Sequence, residues 1–376
     1  MKVKETRALQ RQGTFRIAVA SLAGTAIEFY DFYIYGTAAA LVIGPVFFPA
    51  ASATSQALNA FLTFGIAFLA RPLGSALFGH FGDRVGRKAT LVATLLVMGI
   101  STTLIGVLPG YDSLGTAAPA ILCVLRFGQG IGLGGEWGGA ALLATESAPA
   151  GRKAWFGMFP QLGPSIGFLF ANGLFLLLLS ALSDEQFKSW GWRLPFLASA
   201  PLVLIGLYVR MSLAETPAFA RAMLTNRPVP VPLATVIRGY WRPLLQGSLS
   251  IVVCYTLFYI STVFALSYGV SALHIPKESF LLLLCVAILF MALATPLSAL
   301  LADGFGRRPV LLAGSATAAL LGFQLPNLLG SGSTLGVLVF PCLGPVLDGA
   351  QLRPSGRPTA RVVSDARALY RSCGRL

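Results

Sequence analysis

The chain has 376 residues, of which 55% are hydrophobic and 11% charged, with a formal net charge of +14 and a mean hydropathy of +0.74. Soluble domains carry about 25% charged residues, so the composition excludes an ordinary soluble domain and points to the membrane class. The positive charge does not indicate nucleic acid, because the basic residues follow an alternating order along the chain.

Ten apolar runs near the spanning length of roughly 20 residues are expected, at about 17–43, 57–79, 90–109, 117–145, 155–180, 194–211, 244–270, 280–301, 309–329 and 333–347. Lys2, Lys4, Arg7, Arg11 and Arg16 precede the first run. Arg84, Arg87 and Lys88 follow the second, Arg152 and Lys153 the fourth, and Arg307 and Arg308 the eighth. Arg210, Arg221, Arg227, Arg238 and Arg242 lie in or beside the longest internal loop. The alternate loops are nearly bare: 44–56 and 110–116 hold no Lys or Arg, 181–192 holds Lys188 and 271–279 holds Lys277. Such asymmetry predicts a cytoplasmic N-terminus. The first run is too long for a signal h-region and carries Glu28 and Asp31, so no cleavable signal peptide is expected. The scattered cysteines Cys123, Cys254, Cys285, Cys342 and Cys373 form neither a disulfide framework nor a metal-ligand pattern.

The first run reads "GTAIEFYDFYIYG". Glu28 and Asp31 are three residues apart and share a helix face, with aromatic residues around them. Ionisable groups inside a membrane are costly and mark function by default, and a carboxylate of this pair is a candidate proton carrier; structural pairing with an arginine is the plainer alternative. The second run holds Arg71 in "FLARPLG", which could line a path or snorkel outward, and ends in "GHFGDRVGRK", Gly79 to Lys88. Gly82 and Gly86 predict a sharp turn there. Asp83, Arg84, Arg87 and Lys88 form a charged cluster able to latch two bundles in one state. His80 and His274 fall on opposite sides of the membrane, too far apart for a catalytic pair.

The fourth run reads "LRFGQGIGLGGEWGGA". Arg126 is a lone cation far from any loop, Gln129 lies one turn on, and Glu136 lies about 15 Å beyond Arg126 at 1.5 Å per residue. Arg126 offers a planar fork for carboxylate. It is the candidate for holding an anionic substrate or for pairing with Asp31 when the site is empty. Seven glycines between Gly128 and Gly139 leave a bare groove for another helix or for a ligand. Gly130, Gly132 and Gly135 match a dinucleotide fingerprint only by chance, since no strand precedes them. Trp137 could wall a pocket or simply pack. Gln161 and Asn172 in the fifth run suit interhelical hydrogen bonds.

After six runs comes a loop holding Pro217, Pro228, Pro230 and Pro232. Beyond it "DGFGRR" at Asp303, with Gly306, Arg307 and Arg308, repeats "DRVGRK" at Asp83 after an offset of 220 residues. The offset equals one six-helix repeat, a known transporter plan. The expected organisation is a cytoplasmic segment 1–16, a six-helix bundle 17–211, an inter-bundle loop 212–241, a partial second bundle 242–347 and a basic tail 348–376. That tail, with six arginines and no spanning run, reads either as the product of a frameshift or truncation, or as a genuine disordered extension. A non-functional fragment is the corresponding alternative.

"GHFGDRVGRK" resembles the signature after helix two of the major facilitator superfamily. "EFYDFYIYG", "RFGQGIGLGGEWGGA", "GWRLPF" and "ETPAF" are similar to strings of its metabolite:proton symporter family. The resemblance covers residues 15 to about 341. It implies an all-α membrane protein of two pseudo-symmetric six-helix halves, the second incomplete here. It further implies proton-coupled import of a small organic acid, such as shikimate or a dicarboxylate, by alternating access. A facilitator without proton coupling is the alternative. Its functional residues carry over to Glu28, Asp31, Arg126 and Glu136. No Ser/His/Asp or metal constellation appears, so no enzyme activity and no cofactor are expected. The expected partners are the metabolite, the proton and the bilayer, for a chain that acts as a monomer.

Overall fold

A computed structural model describes the backbone of residues 2–85, 87–146, 153–212 and 258–305, with isolated helical positions between 241 and 256 and between 309 and 323. Side chains are described for 18–82, 89–135, 155–211 and most of 258–305. Among the described residues all regular structure is helical. A backbone in lipid must satisfy its polar groups internally, which leaves the helix as the simplest spanning element.

Eight helices carry the described fold. α1 is Lys2–Ala38, prolonged by a π-helical turn Ala39–Ile43 and by Gly44–Phe47. α2 is Ala53–Val85, α3 Arg87–Val107, α4 Ala117–Glu146 and α5 Lys153–Ala181. α6 is Ser199–Ser212, entered through turns at Gly191–Arg193 and Leu194–Leu197. α7 is Ala265–Ser271, preceded by a π-helical turn Ile260–Phe264, and α8 is Lys277–Gly304. Among the described residues seven segments are long and apolar enough to cross a membrane, from Ala18–Phe47 to Lys277–Leu301. The 25 residues of the last rise about 37 Å at 1.5 Å each, enough for a core of about 30 Å. The expected runs at 309–329 and 333–347, and the basic tail, lie outside the described residues. Of the expected run 244–270, the described apolar helix is Ile260–Ser271.

α1 sits innermost. It packs on α5 and α6, while α2 and α3 both pack on α4, and α8 packs on α5. The outward surface is apolar instead of charged: Leu58, Leu62, Leu69, Leu73 and Leu77 form one exposed stripe of α2, at the i, i+4, i+7 spacing of a single helix face. Lipid, not water, is the solvent for which that stripe is made. Inside, hydroxyls bond back to their own helix, as Thr25 does to the Ser21 carbonyl and Thr102 to that of Met98. Others tie helices together: Thr37 Oγ1 donates to Asn172 Oδ1 at 2.7 Å, and Tyr35 and Thr63 share a hydrogen bond of 2.6 Å. Asn172 therefore has the interhelical role expected of it.

The sharp turn expected over Gly79–Lys88 is smaller than the sequence suggests. α2 continues through Val85 and α3 starts at Arg87, so Gly79, Gly82 and the Asp83 backbone are helical. Gly82 faces Thr90 of α3, where a Cβ would stand 3.4 Å from Thr90 Oγ1, an ordinary contact that does not itself demand glycine. Likewise α8 runs through Asp303 to Gly304. The side chains of Asp83, Arg84, Arg87, Lys88 and Asp303, and residues Gly86, Gly306, Arg307 and Arg308, lie outside the described residues. So does the latch inferred from them.

Candidate functional site

The glycine groove of α4 is filled by protein. A Cβ at Gly130 would lie 2.2 Å from the Ala67 carbonyl oxygen, and one at Gly134 would lie 2.1 Å from that of Arg71. These separations are far inside van der Waals contact, so α2 rests directly on the α4 backbone. Of the two occupants expected for the groove, the helix is the one present. The seat also fixes the height and rotation of Arg71 on α2.

Arg71 faces inward. Its guanidinium carbon stands 4.4 Å from the ring centroids of both Phe32 and Phe68, a double cation–π arrangement. Its Nε and Nη2 atoms are buried and make no hydrogen bond. Arg71 lines a cavity of ≈ 560 Å³ between α2 and described residues from Val252 to Phe264, with Phe61, Phe64, Phe68, Tyr255 and Tyr259. Its side chain turns toward this cavity and does not snorkel outward.

Arg126 occupies a different environment from the one expected. It is completely buried and its hydrogen bonds are spent on protein. Nη1 donates to Gln129 Oε1, Nη2 to the Phe64 carbonyl at 3.1 Å and Nε to the Thr63 carbonyl at 3.4 Å. Its face lies 3.8 Å from the Tyr35 ring centroid. Gln129 passes the chain on, donating from Nε2 to Thr102 Oγ1 at 2.7 Å. Arg126 and Gln129 thus bind α4 to α2 and α3. Among the described residues no ion pair joins Arg126 to Asp31, and Arg126 is absent from the cavity lining.

The two carboxyl groups of α1 are both buried and differ in their partners. Asp31 Oδ1 accepts a hydrogen bond from Ser199 Oγ of α6, while its Oδ2 has none. Glu28 has both oxygens buried without a hydrogen bond. The cations acting on its charge are Arg210 of α6 and Arg71 of α2. Arg210 was counted above among loop residues; it is 5% exposed and donates to the Leu91 carbonyl of α3. Its long stem and its place at the end of an apolar run hid this from a reading of charge order. Ser199 and Thr102 were also missed, because single hydroxyls in apolar helices give no signal in a sequence. Glu136 lies on the α4 backbone, with its side chain, like that of Trp137, outside the described ones. Among the described residues no group of His, Cys, Asp or Glu could hold a metal ion.

At the end of the bundle where α1 meets α2 and α5 meets α6, a short helix Asp184–Ser189 is capped by Ser183 and Gln186 in a capping box. Lys277 Nζ, at the start of α8, donates to Asp184 Oδ1 at 2.9 Å. That hydrogen bond, with the charge of the same lysine, holds the Asp184 carboxyl below the usual carboxylate range.

Three comparisons bear on this arrangement. The family model described as sugar (and other) transporter matches residues 17–226. The chain is 52% identical over 346 residues to the inner membrane metabolite transport protein YhjE of Escherichia coli K12, covering 91% of this chain and 79% of that one. It is 42% identical over 329 residues to the shikimate transporter of the same organism, covering 86% and 75%. Among solved structures, the partially occluded inward-open xylose transporter XylE of E. coli superposes with a TM-score of 0.67 at 18% identity, over 90% of this chain and 84% of that one. This last likeness speaks for the fold alone.

Proposed function

We propose that this chain, which belongs to the sugar (and other) transporter family of the major facilitator superfamily and so is a membrane transporter of metabolites, imports a small organic acid together with a proton. The cargo is shikimate-like or a dicarboxylate. The transport path runs between two helical bundles that open alternately, in an inner membrane with the N-terminus on the cytoplasmic side, as the order of basic loops suggests.

One observation carries the reading. Glu28 is buried and Arg71, of opposite charge, is half-buried with its Nε and Nη2 atoms covered, and neither the Glu28 oxygens nor those two nitrogens have a hydrogen-bond partner. Buried charges without hydrogen bonds are expensive. Each acts on the other electrostatically, so the state of one alters what the other can bind. A proton on Glu28 removes its pull on Arg71, and Arg71 then takes the anion. Proton and anion enter together, and both leave when the far side opens. Asp31, held by Ser199, orients α1 against α6 and keeps Glu28 at its level. The homologous shikimate and proline/betaine transporters make a small carboxylate-bearing cargo the natural one.

The test is uptake of labelled shikimate and succinate into proteoliposomes holding the full chain, with an imposed inward proton gradient. Accumulation above the external level that collapses with a protonophore supports symport. Uptake that merely equilibrates and ignores the protonophore overturns symport in favour of a facilitator. Glu28→Gln should keep exchange of substrate across the membrane and lose accumulation.

A further inference from the structure

We infer that the cavity at Arg71 selects a monocarboxylate carried on a flat ring and rejects dicarboxylates. This rests on the transport reading above and narrows its cargo.

The free atoms of Arg71 are informative as a pair. Nε and Nη2 form one edge of the guanidinium plane, and it is this edge that lacks partners. Two parallel N–H donors along an edge match the two oxygens of one carboxylate. Phe32 and Phe68 both stand at 4.4 Å from the guanidinium carbon and only 5.3 Å from each other, so the two rings lie to one side of it. The guanidinium therefore keeps two adjacent donors unspent beside the cavity that Arg71 lines. Together they make a fork that fits one carboxylate.

The rest of the cavity is built for a ring. Tyr259 meets Phe64 edge to face at 5.6 Å and 73°, and meets Phe68 at 5.0 Å and 86°. Tyr255 stacks beside Tyr259 at 6.2 Å with planes 12° apart. These rings touch one another and so form an aromatic wall that a planar body can meet face-on or by its edge, the geometries aromatic pairs prefer. Among the described residues lining it, Arg71 is the single charged side chain. A second carboxylate on the same ligand would enter an aromatic slot with no cation to meet it, and an unpaired buried charge is strongly disfavoured. A quaternary ammonium would find aromatic faces, but those of Phe32 and Phe68 nearest the carboxylate site already serve Arg71.

The experiment measures equilibrium binding to the full chain in lipid nanodiscs at fixed pH and without a gradient. The probes are benzoate, benzamide, succinate and trimethylglycine. Benzoate should bind at least tenfold more tightly than each of the other three. Arg71→Gln should weaken benzoate at least tenfold, and Arg71→Lys should restore part of the loss, because an ammonium supplies charge without the fork. The probe comparison on the unaltered chain needs no variant, so a poorly folding variant does not blunt the test. No benzoate binding, succinate as tight as benzoate, trimethylglycine tighter than benzoate, or benzoate unaffected by Arg71→Gln each overturns the inference. The two readings fail separately. Benzoate selectivity through Arg71, alongside uptake that ignores a protonophore, would remove symport and keep this site. Proton-driven uptake of succinate with no benzoate binding would do the reverse.

Discussion

Replacing Gly134 by alanine tests whether α2 is seated on the α4 backbone as described. The added Cβ would stand 2.1 Å from the Arg71 carbonyl oxygen, whereas the closest ordinary C···O approach is about 3.3–3.6 Å. The obstacle is backbone, so no rotamer change relieves it, and α2 must retreat by more than about 1 Å. A forced shift of this kind in a packed interior costs about 1–3 kcal/mol. Removing a helical glycine returns about 0.5–1 kcal/mol, so the net loss should be about 1–2 kcal/mol. Gly65, also on α2, has nothing within 4 Å of its would-be Cβ, and Gly65→Ala should show the gain without the cost. Thermal unfolding of the two purified variants in one detergent decides the matter, with Gly134→Ala melting lower than the parent and Gly65→Ala equal to or above it. Benzoate affinity should fall in Gly134→Ala as well, since Arg71 moves with its helix. A Gly134→Ala protein that melts as high as Gly65→Ala would refute the packing of α2 on α4.

Other perturbations separate architecture from transport. Ser199→Ala removes the hydrogen bond to Asp31 and leaves both carboxyl oxygens without a donor; an orphaned buried acceptor costs about 1–3 kcal/mol, so the melting temperature should fall, and an unchanged one would remove the positioning role. Arg126→Lys loses the planar fork that reaches Gln129 and the Phe64 carbonyl and should destabilise the chain by more than about 1 kcal/mol, while benzoate affinity in the folded fraction changes less than threefold; a large affinity loss at unchanged stability would return Arg126 to the substrate site. The Asp184–Lys277 pair depends on pH with a definite sign. The Asp184 carboxyl is lowered in the folded chain, so the pair is fully present above the ordinary aspartate value of about 3.9 and is lost as pH falls through the lowered one. The two groups are partly exposed, so Asp184→Asn should cost at most about 1 kcal/mol at neutral pH. The difference should vanish in acid or in 1 M salt, and persistence there would show that the residue acts through something other than charge.

Much of the fold is legible along the chain because lipid imposes strict terms. A spanning helix needs a long apolar run, and the runs expected at 17–43, 57–79, 155–180 and 280–301 reappear as Ala18–Phe47, Ala53–Gly82, Trp155–Ala181 and Lys277–Leu301. The buried positions of Glu28, Asp31, Arg126 and Gln129 were likewise implied by finding polar residues where lipid would not tolerate them. Their partners were not implied. The sequence offers Arg126 and Asp31 as an obvious pair, since both are charged and both lie deep. Three hydrogen bonds within reach of Arg126, two of them to backbone carbonyls, outcompete a carboxylate that Ser199 already holds.

What the sequence determined by itself, then, is the class of solvent, the helical count up to the central loop, and the family, each of which rests on local composition or on contiguous strings. Only the tertiary structure decided which cation is spent and which is free. Arg71 and Arg126 are equally charged and equally embedded in apolar runs. The difference is that α4 carries glycines against α2, where Arg126 meets the Thr63 and Phe64 carbonyls, while Arg71 Nε and Nη2 are left without a hydrogen bond. Hydrogen bonding acts over about 3 Å, and whether an arginine comes that close to a carbonyl 62 residues away in the chain, as Arg126 does to that of Phe64, is a property of helix packing.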